Sequence, residues 1–168
     1  NCSMIVFDSS TLILLAKTDL LELFVLDFRG KVLIPPKVKT EVCIEKREET
    51  PLIVKLIKDK RIEVLEAKNS RQIKKFMDDF NIDAGEAEAL TLAVQEGAGI
   101  VATDDRNAIR ACKLLKLDFV SAIAVLIRAF EKNLIDRDEA VVKLQKLESI
   151  GRYSRTIIED AIKKVKGV

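Results

Sequence analysis

Two short apolar runs in this chain each end in acid. Met4-Ile5-Val6-Phe7 runs into Asp8, and Gly99-Ile100-Val101-Ala102-Thr103 runs into Asp104-Asp105. A helix-like stretch follows each run, so each reads as a buried strand that delivers a carboxylate to its C-terminal end. In open α/β sheets the crevice beyond the strands' carboxyl ends is where ligands sit.

The remainder of the chain repeats the pattern. Ser10 to Ala16 and Leu20 to Leu26 read as helical segments, broken near Thr18-Asp19. Val32-Leu33-Ile34 is a second strand closed by Pro35-Pro36. Pro36 opens a helix running to about Lys46, where its missing N–H costs nothing. A helix from Thr50 to about Lys58 leads to a third strand, Ile62-Glu63-Val64-Leu65. Residues 70–80 place Ile73, Phe76, Met77 and Phe80 on one amphipathic stripe. Residues 84–96 form a richly apolar helix stopped by Gly97, followed by a strand over 100–103. The next helix buries Ala108, Ala111, Cys112 and Leu115, and Leu117 to Val120 is the last strand. From Ser121 onward the chain reads as helical, with breaks near Asn133 and Gly151-Arg152. Strands alternating with helices predict a parallel sheet covered on both faces.

At 168 residues the chain fits one domain and is long enough to bury roughly two thirds of its unfolded surface. Residues 4–168 are read as that domain, with Asn1-Cys2-Ser3 as a cloning leftover before the natural methionine. The net charge of +2 is too small to argue for or against nucleic acid. Cys2, Cys43 and Cys112 lack metal-ligand spacing, which suggests a reducing, cytoplasmic setting. No apolar run approaches the roughly 20 residues of a membrane span.

The chain contains no histidine. Its catalytic options are carboxylates, thiols, hydroxyls and amines, and clustered carboxylates select hard cations such as Mg2+ or Mn2+. Asp8 is the cleanest candidate, with helix capping as the equal alternative. Asp83-Ala84-Gly85-Glu86 has capping-box spacing. Glu86 nevertheless shares its helix face with Ala89, Leu90 and Ala93, where an unpaired carboxylate is costly. Glu88 shares a more polar face with Thr91 and Gln95, which makes it a solvated or supporting residue. Either Asp104 or Asp105 can cap the helix beginning near Arg106, but two acids exceed what one cap requires. Glu41 has little weight by itself. Walker-type and G-x-G-x-x-G phosphate loops are both missing.

Four stretches together resemble a PIN domain, the nuclease fold of VapC-type toxins and ribosomal-RNA processing endonucleases. They are Ile5-Val6-Phe7-Asp8-Ser9-Ser10, Ile34-Pro35-Pro36 with Glu41-Val42, Gly85-Glu86-Ala87-Glu88-Ala89-Leu90, and Ile100-Val101-Ala102-Thr103-Asp104-Asp105. The third position departs from the commoner Asp by carrying Glu. The resemblance implies a three-layer α/β/α sandwich with a central, mostly parallel sheet of about five short strands. It implies catalytic roles for Asp8, Glu41, Glu86 and Asp104, and metal ligation by Asp8, Glu86, Asp104 and Asp105. Ser9, Glu88 and Thr103 support them. The activity implied is Mg2+- or Mn2+-dependent cleavage of single-stranded RNA, with an antitoxin protein as partner. Ribosomal-RNA maturation and a non-catalytic RNA- or partner-binding scaffold are the alternative readings.

The motifs span residues 4–130, leaving residues 131–168 as C-terminal helices beyond the motif-bearing core. Stripes such as Ala122, Val125, Leu126 and Ala129, then Val141, Val142, Leu144, Leu147 and Ile150, carry ample apolar surface. They are expected either to form a homodimer whose clefts line an RNA groove, or to complete the chain's own core.

Overall fold

A computed structural model describes residues 3–44, 47–150 and 153–168. Its five strands are β1 (Ser3–Phe7), β2 (Gly30–Ile34), β3 (Glu63–Val64), β4 (Ile100–Ala102) and β5 (Asp118–Val120). Every strand pair is parallel, in the order β3-β2-β1-β4-β5. Successive crossovers run outward from β1 to β2 and β3, and the chain then returns to lay β4 on the other side of β1. The direction therefore reverses between β1 and β4, and their carboxyl ends flank the crevice where such sheets bind ligands.

Side-chain alternation splits the apolar residues into two clusters. Ile5, Phe7, Val32, Ile34 and Ala102 face one cluster, whereas Val6, Leu33 and Val101 face the other. The first cluster is closed by α1 (Ser9–Lys17), α2 (Leu21–Asp27), α3 (Pro36–Ile44), α4 (Thr50–Lys58), α8 (Ala122–Glu131), α9 (Arg137–Ser149) and α10 (Arg155–Lys166). The second is closed by α5 (Ser70–Phe80), α6 (Ala84–Glu96) and α7 (Arg106–Leu115). Helices on both faces of a parallel sheet give the three-layer sandwich that alternating strand and helix signals predict.

The C-terminal helices are part of this core. Ala140, Leu144 and Leu147 of α9 and Ile158, Ala161 and Val165 of α10 are buried with Leu12 and Leu15 of α1. Ala122, Val125, Leu126 and Ala129 are buried in the same cluster. The stripe behind the dimer expectation is thus largely covered by the chain itself, with Val142 at 63% exposure the main exception. Burying each large aliphatic side chain contributes about 1.5–3 kcal/mol, so α9 and α10 add substantially to stability. The Lys143 ammonium also donates to the Thr18 carbonyl at 2.8 Å, tying α9 to the end of α1.

The expected break at Asn133 is a left-handed residue with φ of 61°, a conformation asparagine tolerates better than most residues. The break expected at Gly151-Arg152, the end of the α3 helix at Lys46, and Cys2 lie outside the described residues. No helix among the described residues is long and apolar enough to cross a membrane.

Candidate active site

Asp8 follows β1 directly, and both readings of it are realised in one side chain. Its Oδ1 caps α1 by accepting the Thr11 backbone N–H at 3.1 Å, and also accepts the Ser10 hydroxyl at 2.8 Å. Its Oδ2 accepts the Thr103 hydroxyl at 2.5 Å, across the gap between β1 and β4. The residue is 2% exposed. Burial pushes its pKa up from 3.8 to about 6, against the lowering effect of its hydrogen bonds.

The two acids after β4 have separate roles. Asp105 caps α7, accepting the Ala108 N–H at 2.9 Å. Asp104 instead turns toward the start of α8. Both its oxygens accept the Ala122 N–H, at 3.3 and 3.2 Å, and Oδ2 accepts the Thr11 hydroxyl at 2.7 Å. Oδ1 also accepts the Tyr153 hydroxyl. An anion is well placed there, since the first turn of a helix leaves N–H groups without intrahelical partners. Thr11 thereby joins the two strand-end acids, its backbone bonded to Asp8 and its hydroxyl to Asp104.

The two glutamates come from the adjoining helices. Glu86 completes a capping box with Asp83: the Glu86 N–H donates to Asp83 at 2.8 Å, and Glu86 Oε1 accepts the Asp83 N–H at 3.2 Å. Its second oxygen, Oε2, is buried without a hydrogen-bond partner. Burial, followed by the neighbouring Asp105 and Asp83 side chains, drives its pKa from 4.5 to about 9. Two carboxylates can share such a contact only when one keeps its proton or a cation intervenes.

Glu41 shows the same asymmetry. Oε2 accepts the Ser9 hydroxyl at 3.5 Å, whereas Oε1 is buried and unpartnered. Burial and the charge of Asp83 push its pKa upward. Gly85 makes room for it: a Cβ there would stand 2.0 Å from Glu41 Oε1. The glycine in the family-like Gly85-Glu86 pair thus has a packing reason, because any side chain would displace the Glu41 carboxylate.

Glu88, two residues from Glu86, turns to a different task. Its Oε1 accepts the Lys37 N–H at 3.4 Å, supporting the first turn of α3. Asp8 and Asp104 are brought together as expected neighbours. Glu86 accepts the Asp83 N–H through one oxygen and has the Asp105 side chain as a neighbour, and Glu41 reaches the group through Ser9. Among the described residues no three acids or thiols form a ready-made metal cluster. The donor set is nonetheless all oxygen, and two of its buried carboxylate oxygens have no hydrogen-bond partner. Those features suit a hard divalent cation.

Sequence reasoning missed Thr11 as a bridge and Tyr153 as a partner of Asp104. The one available signal was that Tyr153 is the only tyrosine in the chain. Cys43 and Cys112 are free thiols, and burial raises Cys112 to about 12.

The sequence profile of the DUF3368 family, described as a PIN domain, matches residues 4–167. The chain belongs to this PIN-domain family. PIN domains are typically nucleases and generally use divalent metals. The match runs through α9 and α10, so the C-terminal helices of this PIN domain belong to the family's shared extent. Among solved structures, the chain is similar to the crystal structure of PAE2754 from Pyrobaculum aerophilum, at 14% identity and a TM-score of 0.49. That similarity covers 75% of this chain and 96% of the other. No curated protein matches the sequence.

Proposed function

We propose that this PIN domain is an Mg2+- or Mn2+-dependent endoribonuclease acting on single-stranded RNA, and that it serves as the toxin of a toxin–antitoxin pair. The observation that carries the nuclease reading is the pair of buried, unpartnered oxygens on Glu41 and Glu86, together with the buried Asp8 carboxylate at the reversal point of the sheet. Burying unpaired carboxylate is expensive, and binding a cation is one of the few ways to offset that expense. A divalent ion held there would activate water and stabilise the leaving oxygen of a phosphodiester.

The chain's own residues set up that chemistry. Asp8 and Asp104 are fixed at the strand ends by Thr11, Ser10, Thr103 and the first amide of α8, so they form the rigid part of the donor set. Glu41 and Glu86 supply the adjustable part through their longer side chains, with Asp105 beside Glu86. The toxin role and the antitoxin partner follow from the likeness of the four acidic motifs to VapC-type nucleases.

Cleavage of a labelled single-stranded RNA with Mn2+ tests the reading. Activity is expected to disappear with a chelator and to return on Mn2+ addition. Glu86→Gln is expected to cut the rate by at least about tenfold, with Glu88→Gln changing it much less. A chelator-resistant cleavage, or the opposite ranking of the two variants, would contradict the assignment.

A further inference from the structure

We infer that Tyr153, at the entry to α10, is a positioning residue for Asp104 that acts through its hydroxyl. The inference rests on the nuclease reading above. Tyr153 immediately precedes Ser154, whose side chain caps α10 by accepting the Ile157 N–H at 3.3 Å. The cap fixes where the chain enters α10, and α10 is held by Ile158, Ala161 and Val165 buried in the core. The tyrosine ring therefore has a defined place, set by packing remote from the acids.

From that place its hydroxyl works in two directions. It accepts the Ile123 N–H at 3.2 Å, one of the donors that the first turn of α8 leaves without an intrahelical partner. It donates its own proton to Asp104 Oδ1. Accepting from an amide polarises an O–H and strengthens the bond it donates. Asp104 is thus gripped on both oxygens, by Tyr153 at Oδ1 and Thr11 at Oδ2, with the Ala122 amide between them. Such a grip fixes the carboxylate plane. A hydrogen-bond partner that orients a metal-binding carboxylate typically contributes 10–100-fold to metal affinity.

Tyr153→Phe keeps the ring and removes only the hydroxyl. Calorimetric titration of the metal-free protein with Mn2+ is expected to give a Kd about 10–100-fold weaker than that of the parent chain. Val165→Ala, which loosens α10 without touching Asp104, serves as the control. It is expected to lower thermal stability and leave the Mn2+ Kd within about threefold of the parent, far short of the loss from a missing orienting group. An unchanged Kd in Tyr153→Phe would overturn the inference. Equal weakening by both variants would overturn it too, by showing a general effect of disturbing α10. A parent chain that binds no Mn2+ would instead bring down the nuclease reading itself, and this inference with it.

Discussion

Asp8→Asn is expected to leave the PIN domain folded and to lower metal-dependent RNA cleavage by at least about a hundredfold. Orienting partners of metal ligands already contribute up to about that factor, and Asp8 is assigned as a ligand. The fold survives because asparagine retains an oxygen for the cap. That oxygen can accept both the Thr11 N–H and the Ser10 hydroxyl, the two bonds Asp8 Oδ1 now makes. The amide nitrogen then faces the Thr103 hydroxyl, which must change from donor to acceptor. Circular dichroism and a melting curve check the fold, and the RNA assay checks the loss. Activity within threefold of the parent would remove Asp8 from the chemistry.

The second large effect is on stability against pH. Asp8 and Glu86 both hold protons more tightly in the fold than in the unfolded chain, with folded pKa values near 6 and 9 against ordinary values of 3.8 and 4.5. Their contribution is therefore fully present below the ordinary values and is lost as pH rises through the folded ones. For buried Asp8 alone the loss amounts to roughly 3 kcal/mol. The metal-free chain is expected to melt at a lower temperature at pH 8 than at pH 5. A cation at a hundred times its Kd restores about 2.7 kcal/mol. Mn2+ should stabilise more at pH 8 than at pH 5, where protons compete for the same oxygens. Asp8→Asn should remove the part of the metal-free pH dependence that lies below about pH 6 and leave the part that Glu86 contributes at higher pH. A melting temperature that climbs from pH 5 to pH 8 in the absence of metal would contradict the burial argument.

The sheet was legible because its strands are short, apolar and punctuated. Val6 lies between Ile5 and Phe7 with nothing polar to bias one face, and in the fold the three residues divide between the two cores. The third strand was less legible: the expected Ile62 to Leu65 contracts to Glu63 and Val64, since β3 is an edge that pairs only with β2. Capping and metal-ligand readings could not be separated at Asp8 and Glu86 for a physical reason. A carboxylate has two oxygens, and in Glu86 one completes the cap while the other is buried without a partner.

The division of labour between Asp104 and Asp105 was beyond the sequence, because adjacent acids after a strand are interchangeable until α7 and α8 are placed. Tyr153 was hidden for the same reason. Its contact with Asp104 spans 49 residues and depends on how α10 docks against α8. The apolar stripes of the C-terminal helices were visible, but periodicity states only that a face is buried. Which surface buries it is decided by the tertiary fold, and here much of that surface is the chain's own core.

A divalent cation is expected to bind at the carboxyl ends of β1 and β4. Anomalous scattering from crystals grown with Mn2+ tests it most directly, because the peak locates manganese without relying on activity. A peak is expected in contact with the Asp8 carboxylate and at least one of Glu41, Glu86 and Asp104. A peak elsewhere on the molecule, or none at that crevice with saturating Mn2+ at pH 8, would contradict it.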